Sequence, residues 1–411
     1  MTTDKKILIL GAGFAGLAAS KELEGFGDVT VMDPSPHFEF APNIHELVSG
    51  FKNPSEVKLD LHSILKSRRQ GFVQEKAVEL DAKNKLVRTH SGNEYPYDCL
   101  IVAIGGVNND RGVPGVKEFA YPFKTASHCH AIGKKLKQLE SQASPYSVTI
   151  VGGGVEGVES LGEILRAYGQ SRNITINLIE GQQQLLPGMA GQVHQNILEL
   201  CAPFPVNFHF EERVSRVEAD QVVLSNNQRL ASDLTIWTGG VKSHPQLEAW
   251  GLTAPEGSAQ VNTYLQSEQH SDIFVIGDAI DVTGGGEKQA YLALDMGEAA
   301  AHNVRSFLRG KRLKAYKPKQ LPSIYAFGNL SCFVVYKDFA LSGLALSGVK
   351  EAIYQFNMAS IQGIPTDSEQ LTETLGRGLH GTLRSLGAFL ESPIPVLSRI
   401  SIDFLPPRSY T

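Results

Sequence analysis

The chain has 411 residues, of which 42% are hydrophobic and 20% are charged, and its formal net charge is −5. This composition is typical of a globular protein of two or three domains, and the negative charge gives no support to nucleic-acid binding. The four cysteines have no paired spacing, so we expect no disulfide framework, no metal site and a reducing, cytoplasmic compartment. No apolar run approaches the ~18 residues of a membrane span, and we expect no signal peptide.

The first recognisable unit is a strand followed by a glycine turn and a helix. A buried parallel strand is predicted at 7–10, and a helix is predicted from Leu17 towards Glu24. Such a turn lets the backbone approach a pyrophosphate and lets the helix pack closely on the strand. The next strand, at 29–32, ends in Asp33, where the ribose hydroxyls of a dinucleotide need an acceptor. The turn has G-x-G-x-x-G spacing, formed by Gly11, Gly13 and Gly16.

The stretch that follows is predicted to mix short helices, paired strands and loops. A strand at 97–104 ends in Gly105-Gly106, and a linker is expected at 108–115. The other elements predicted here are a helix at 43–50, a mixed segment at 57–65, paired strands at 72–80 and 85–89, and a helix at 126–139.

The opening pattern then repeats. A strand at 147–151 leads into a second G-x-G-x-x-G turn and a helix at 158–167, and the next strand, at 174–179, ends in Glu180. Two complete units of this kind predict two dinucleotide sites in one chain. The glycines of the second turn are Gly152, Gly154 and Gly157.

The remaining elements are predicted from alternation and helical period. Leucines at helical spacing, with basic residues beside them, predict an amphipathic helix at 371–390 that lies in a membrane interface or packs on protein. The others are a meander at 206–224, buried strands at 234–237 and 272–276 (the first followed by Gly239-Gly240, the second by Gly277-Asp278), a helix at 289–308, a hairpin at 323–346 and a short helix at 352–358.

The ordered motifs resemble those of the two-dinucleotide FAD/NAD(P) oxidoreductases. The resemblance implies an α/β fold with two Rossmann-like domains, FAD at the first unit and a nicotinamide cofactor at the inserted second unit. The implied domains are 1–110 with 253–322 for FAD, 111–252 for NAD(P)H, and a C-terminal α+β and amphipathic segment, 323–411, in contact with a membrane or a second subunit. The motifs are Gly11–Gly16 with Asp33, Ala103-Ile104-Gly105, Gly152–Gly157 with Glu159, and Ile276-Gly277-Asp278.

Within that superfamily the chain is most similar to the type II NADH dehydrogenases, which are NADH:quinone reductases. The segment 40–46 lacks the C-x4-C pair of the disulfide reductases, and 236–241 supports the same resemblance. The segment 288–293 looks most like that of the AIF-like ferroptosis-suppressor quinone reductases. Type II enzymes usually place glutamines along this helix, where the present chain has Tyr291 and Asp295, so the acceptor stays open.

The resemblance also implies residue roles. Glu159 is expected to contact the nicotinamide end, and Lys288 to lie near the flavin and the acceptor. Glu180 is expected to bind the 2′-hydroxyl of NADH, and NADPH is disfavoured because 181–184 contain no arginine. The other cofactor-binding residues are expected to be Gly11, Gly13, Phe14, Ala15, Gly16, Asp33, Pro42, Ala103, Gly105, Gly152, Gly154, Gly157, Gly240, Gly277, Asp278, Ala290 and Tyr291.

The leading interpretation is an FAD-dependent enzyme that passes a hydride from NADH to flavin and then two electrons to a quinone at the cytoplasmic face of a membrane. A homodimer is one arrangement left open. One alternative is a soluble NAD(P)H reductase for a ferredoxin- or rubredoxin-type protein. A second is a sulfide:quinone reductase-like enzyme, against which Ser160 stands where that family has a cysteine. A third is an AIF-like flavoprotein that senses NADH.

Overall fold

The computed structural model describes residues 4–189, 191–253, 257–281, 289–319, 321–336 and 339–364, and the backbone of 401–404. Three short 3-10 turns accompany the helices at Ala41–Asn43, Pro54–Glu56 and Gly277–Ala279. The strands are β1 (Lys6–Leu10), β2 (Asp28–Met32), β3 (His37–Glu39), β4 (Lys58–Asp60), β5 (Gly71–Val73), β6 (Ala77–Asp81), β7 (Leu86–Thr89), β8 (Glu94–Pro96), β9 (Cys99–Val102), β10 (Gly106–Asn108), β11 (Ala120–Pro122), β12 (Tyr146–Val151), β13 (Ile174–Glu180), β14 (Val206–Phe210), β15 (Val214–Val217), β16 (Gln221–Leu224), β17 (Arg229–Ala231), β18 (Leu234–Trp237), β19 (Val241–Ser243), β20 (Ile273–Val275), β21 (Ser323–Phe327), β22 (Ser331–Tyr336), β23 (Phe339–Ser342) and β24 (Ser401–Phe404). The helices are α1 (Phe14–Glu22), α2 (Glu46–Ser49), α3 (Leu61–Ser67), α4 (Val116–Phe119), α5 (Ala126–Ser141), α6 (Val155–Tyr168), α7 (Gly191–Cys201), α8 (Gln246–Ala249), α9 (Ala290–Leu308) and α10 (Leu346–Gln362).

The first parallel sheet carries the first glycine turn. Its order is β20-β9-β1-β2-β5, with β1 at the centre. Ile7 to Leu10 are all buried because helices and loops cover both faces of a parallel sheet. The carboxyl ends of β1, β2, β9 and β20 therefore meet at one edge, where the motif residues follow each strand.

The second parallel sheet repeats this arrangement. Its order is β11-β18-β12-β13-β14, so β12 lies between β18 and β13 just as β1 lies between β9 and β2. The predicted α/β fold with two Rossmann-like sheets is confirmed. The domain boundaries predicted above stay a prediction.

Two predicted strand segments are wrong in the same way. The alternating stretch 72–80 is two strands, since β5 is a parallel edge strand of the first sheet while β6 pairs antiparallel with β7. The stretch 206–224 is likewise divided, with β14 at the edge of the second sheet and only β15 and β16 in an antiparallel meander that β17 completes. Alternation describes both kinds of strand equally, and pairing partners far along the chain decide which sheet each joins.

The C-terminal region contains more regular structure than predicted. An antiparallel sheet of order β21-β22-β23-β24 replaces the expected hairpin, and the helix expected at 352–358 extends over all of α10. The amphipathic helix predicted at 371–390 lies outside the described residues. Among the helices that the structure describes, none combines the length and apolarity that crossing a bilayer requires.

Candidate active site

The first glycine turn is shaped by close backbone approach. A Cβ atom on Gly16 would lie 1.9 Å from the carbonyl oxygen of Gly11, so only glycine allows α1 to begin this close to β1. Gly13 differs, because a Cβ there would meet no atom within 4 Å. Its free side faces open space at the N-terminus of α1, where the phosphates of a dinucleotide need room and N–H donors.

Asp33 lies beside this turn at the end of β2. Its Oδ2 accepts a hydrogen bond from the Ala12 N–H and its Oδ1 accepts one from the Ser35 N–H, both at 2.8 Å. Burial raises the pKa of Asp33, and the two backbone hydrogen bonds oppose that rise. The carboxylate is therefore held in a fixed orientation at the rim of the phosphate turn.

The second turn has the same construction. A Cβ on Gly157 would lie 1.8 Å from the Gly152 carbonyl oxygen, whereas one on Gly154 would meet nothing within 4 Å. The Oε2 atom of Glu180 accepts from the Gly153 N–H at 2.6 Å, and its Oε1 accepts from the Gln182 N–H at 2.8 Å. Both turns therefore fit a dinucleotide, with an open phosphate cradle and an oriented carboxylate.

A single cavity of about 1910 Å³ extends from one turn to the other. Drug-sized ligand pockets measure roughly 300–1,000 Å³, so this cavity has room for more than one ligand. Five predicted residues, Gly11, Gly16, Gly152, Gly157 and Glu180, are not in the cavity wall, and Lys288 lies outside the described residues. The predicted residues in the wall are Gly13, Phe14, Ala15, Asp33, Pro42, Ala103, Gly105, Gly154, Glu159, Gly240, Gly277, Asp278, Ala290 and Tyr291.

Glu159 belongs to a buried cluster that joins three parts of the chain. Its Oε1 accepts from Lys350 Nζ of α10 at 2.8 Å and from the Ala326 N–H of β21 at 3.2 Å. His45 lies between the two charges, with its Nε2 3.2 Å from Lys350 Nζ and its Nδ1 3.5 Å from Glu159 Oε2. Burial lowers the pKa of His45 well below its usual value, and the nearby cations lower it further, so the ring is neutral.

The protonation of the Glu159–Lys350 pair follows from burial and mutual attraction. Burial raises the pKa of Glu159, and the Lys350 charge opposes that rise. Burial alone would lower the pKa of Lys350, but attraction to Glu159 and Glu46 outweighs it and the pKa is raised. Lys350 is therefore a charged donor in the cavity wall at neutral pH.

Another ionisable group, the carboxyl of Glu156, lies at the start of α6. Glu156 faces the cavity one helical turn before Glu159, and burial raises its pKa to about 7, with Lys124 opposing the rise and Glu159 and Asp278 adding to it. The Nζ atom of Lys124 lies 3.7 Å from Asp278 Oδ2. The cavity thus has a titratable carboxyl beside the second glycine turn.

Sequence reasoning missed four of these residues. The sequence could have indicated a role for Glu156, because an acid inside a phosphate-binding motif is unexpected. Nothing in the sequence around His45, Lys124 or Lys350 indicates a role. Each of these three reaches the site from a loop or helix far from either glycine motif. Their roles depend on contacts between distant segments.

Comparison with known proteins agrees with this geometry. The sequence profile of the pyridine nucleotide-disulphide oxidoreductases matches residues 5–297. The chain belongs to the pyridine nucleotide-disulphide oxidoreductase family. It is therefore an FAD-dependent NAD(P)H oxidoreductase, which confirms the predicted enzyme class and cofactors.

One curated relative and two solved structures show which flavoprotein oxidoreductases the chain is similar to. A type II NADH:quinone oxidoreductase of Staphylococcus aureus is 24% identical over 389 residues, which cover 88% of this chain and 96% of the relative. The structure of NDH2 from Plasmodium falciparum in complex with NADH has a TM-score of 0.80 at 18% identity and covers 93% of this chain and 98% of its own. The sulfide:quinone oxidoreductase from Aquifex aeolicus has a TM-score of 0.79 at 20% identity, with 98% and 97% covered.

Proposed function

We propose that the chain is an FAD-dependent NADH:quinone oxidoreductase. The observation that carries the proposal is the cavity, which extends from both glycine turns to a wall formed by β21 and α10. The rim of that wall is apolar and exposed, since Leu321 and Ile353 are 48% and 44% accessible. A lipid-soluble acceptor needs such a rim, and a type II NADH:quinone oxidoreductase is among the curated relatives.

The two nucleotides are assigned to the two turns in chain order. We propose that residues 1–110 and 253–322 hold FAD and residues 111–252 hold NADH, with Asp33 and Glu180 accepting from the adenosine ribose of each. Bound FAD supplies the hydride-accepting and electron-donating chemistry. Ala290 and Tyr291 line the cavity at the first turn of α9, where the positive end of the helix dipole favours negative charge.

Glu159 and Lys350 are proposed to act where nicotinamide and acceptor approach the flavin. Reduction of a quinone consumes protons as well as electrons, so the site needs a proton donor in its wall. Lys350 Nζ carries a proton, lines the cavity and is hydrogen bonded to Glu159 Oε1. Neutral His45 holds the pair from the side away from bulk solvent, because its ring is only 1% exposed.

The same region supports peripheral association with the cytoplasmic face of a membrane. Val349, Ile353 and Phe356 form one exposed face of α10, with accessibilities of 47%, 44% and 40%. Apolar side chains at this helical spacing suit the interface of a bilayer, into which a quinone partitions. The C-terminal region, 323–411, is proposed to make this contact, and a homodimer through the same face is the competing arrangement.

An anaerobic titration tests the function. NADH is added to the purified holoprotein while the flavin absorbance is followed, and a water-soluble quinone is then added. We expect NADH to bleach the flavin band and quinone to restore it within the turnover time. Recovery only with oxygen or with an oxidised ferredoxin- or rubredoxin-type protein would overturn the quinone assignment. Sulfide is the matched alternative donor, and bleaching by sulfide in place of NADH would favour the sulfide:quinone reductase alternative.

A further inference from the structure

Arg213 lies beside the end of β13, directly after Glu180, although α7 and β14 separate the two residues along the chain. An ideal Cβ on Gly181, the residue after Glu180, would lie 3.6 Å from Arg213 Cγ and 3.7 Å from its Nε. The Arg213 side chain therefore packs against the backbone of Gly181, directly after Glu180, the carboxylate proposed to bind the ribose.

Backbone hydrogen bonds hold this position. The Glu211 N–H donates to the Gln182 carbonyl oxygen at 3.1 Å, and the Glu212 N–H donates to the Glu180 carbonyl oxygen at 3.2 Å. On the other side, the Ser225 N–H donates to the Arg213 carbonyl oxygen at 2.8 Å. The segment between β14 and β15 is thus attached to the end of β13, and Arg213 is carried with it.

The acids that flank Arg213 bind other groups. Glu211 Oε1 accepts from Gln183 Nε2 at 3.0 Å, and Glu212 Oε1 accepts from Asn226 Nδ2 at 2.7 Å. Across the described residues, Arg213 is exposed and takes part in none of the side-chain hydrogen bonds or ion pairs that the structure shows. Its guanidinium is accordingly available to a ligand.

We infer that Arg213 contacts the 2′-phosphate of NADPH and that the second site takes NADPH as well as NADH. The inference rests on the proposed assignment of this unit to the nicotinamide nucleotide. A guanidinium binds phosphate through charge-assisted hydrogen bonds, and NADPH differs from NADH only by that phosphate. Residues 181–184 include no arginine, but the segment between β14 and β15 places Arg213 beside them.

Glu180 and Arg213 then set the nucleotide preference together. The Glu180 carboxylate accepts from a 2′-hydroxyl and repels a 2′-phosphate, whereas Arg213 attracts the phosphate. Because Arg213 is exposed, solvent screens its attraction, and we expect a contribution of about tenfold in the dissociation constant.

The test measures binding rather than turnover. Isothermal titration of the oxidised holoprotein with NAD⁺ and with NADP⁺ gives the ratio of the two dissociation constants, and no hydride can be transferred. The variants are Arg213→Ala, Arg213→Lys, Glu180→Gln and the double variant Glu180→Gln/Arg213→Ala. Arg216→Ala is the matched control, because Arg216 is a nearby exposed arginine paired with Glu218.

We expect Arg213→Ala to shift the ratio about tenfold against NADP⁺ and Arg213→Lys to shift it less, since lysine keeps the charge. We expect Glu180→Gln to shift it about tenfold towards NADP⁺, and most of that gain to vanish in the double variant. Failure of the wild type to bind NADP⁺, or a ratio unaffected by Arg213→Ala, overturns the inference while the NADH assignment stands. Failure of the wild type to bind NAD⁺ overturns the proposed function, and this inference falls with it.

Discussion

Two carboxylates of the cavity wall, Glu159 and Glu156, differ in the groups that stabilise their negative charge. Glu159 has an ammonium group at 2.8 Å and a backbone donor, whereas Glu156, one turn earlier on α6, is affected by the more distant charge of Lys124. Burial is the largest cause of the raised pKa in both. Glu159 therefore depends on Lys350 for its stability, whereas Glu156 is able to titrate near neutral pH.

Glu156 should make nucleotide binding depend on pH. Below about pH 7 its carboxyl is protonated and neutral, and above that pH it is an anion beside the pyrophosphate cradle. Lys124, Glu159 and Asp278 face the same group. We expect NAD⁺ to bind about threefold more weakly at pH 8 than at pH 6, a modest effect because solvent screens it. Titration calorimetry across this range should show the dependence in the wild type and in Glu199→Gln, an exposed control, but not in Glu156→Gln.

Replacement of Lys350 should destabilise the fold. Lys350→Met leaves the Glu159 carboxylate buried without its closest donor, and such a loss costs about 3–5 kcal/mol in the free energy of unfolding. The double variant Lys350→Met/Glu159→Gln removes the unpaired charge and should recover part of that loss. Denaturant unfolding measures both, with the exposed Lys137→Met as control. Equal stability of Lys350→Met and the wild type would show that the pair contributes nothing.

The two strand–turn–helix units make equivalent backbone hydrogen bonds. The Gly11 N–H donates to the Met32 carbonyl oxygen and the Gly152 N–H to that of Ile179, both at 2.8 Å. In each unit one glycine is required for helix packing and another faces open space. This division allows the phosphate cradles to be altered without altering the fold.

Alanine at the open glycine of one turn should weaken binding of the nucleotide at that turn and leave the other nucleotide bound. Gly13 and Gly154 have φ values of −75° and −72°, and a Cβ on either meets no atom, so both variants should fold. The added methyl group projects into the cradle, and steric overlap of this size costs about tenfold in affinity or more. We expect Gly13→Ala to be purified with little FAD, as measured by the ratio of flavin to protein absorbance.

Gly154→Ala is the reciprocal variant. It should keep FAD and bind NAD⁺ more weakly in calorimetry, with the melting temperature unchanged. Loss of FAD from Gly154→Ala but not from Gly13→Ala would reverse the assignment of the two units. Gly157→Ala serves as the positive control for misfolding, since its Cβ would overlap the Gly152 carbonyl oxygen.

The whole cavity is assembled from segments that are distant along the chain. The two parallel sheets contribute the glycine turns, while α10 contributes Lys350 on its buried face and an apolar stripe on its exposed face. In the proposed function, α10 would therefore connect the reaction site with the surface through which an apolar acceptor enters.

The exposed face of α10 should mediate membrane binding. Removing two apolar anchors in Val349→Ser/Phe356→Ser should weaken binding to phosphatidylcholine–phosphatidylglycerol vesicles at least about tenfold, because each buried side chain contributes about 1.5–3 kcal/mol. Flotation measures the bound fraction. Phe119→Ser is the matched control, as Phe119 is an exposed aromatic residue on α4 with 46% accessibility. Equal flotation of both variants would contradict the membrane assignment, and a loss of dimer in sedimentation would favour a subunit contact.

Local patterns were sufficient for the parts of the protein that depend on nearby residues. Buried strands, glycine spacing and a terminal acid such as Asp33 or Glu180 follow one another within each unit, because strand, turn and helix contact each other there. Those patterns predicted the two nucleotide units. With the family resemblance that they carry, they also predicted the fold class and 14 of the residues that line the cavity. They failed for β5 and β14, whose partners lie in other segments and whose alternation is the same in any sheet.

Long-range packing was required for the charges that tune the site. No pattern in α10 shows that Lys350 lies 2.8 Å from Glu159, and no window around Glu180 contains Arg213. A buried charge is tolerated only where the fold brings a partner to it, and that partner can come from any point along the chain. Burial and pairing, which set the protonation of Glu156, His45 and Lys350, exist only once the two sheets and α10 enclose the cavity.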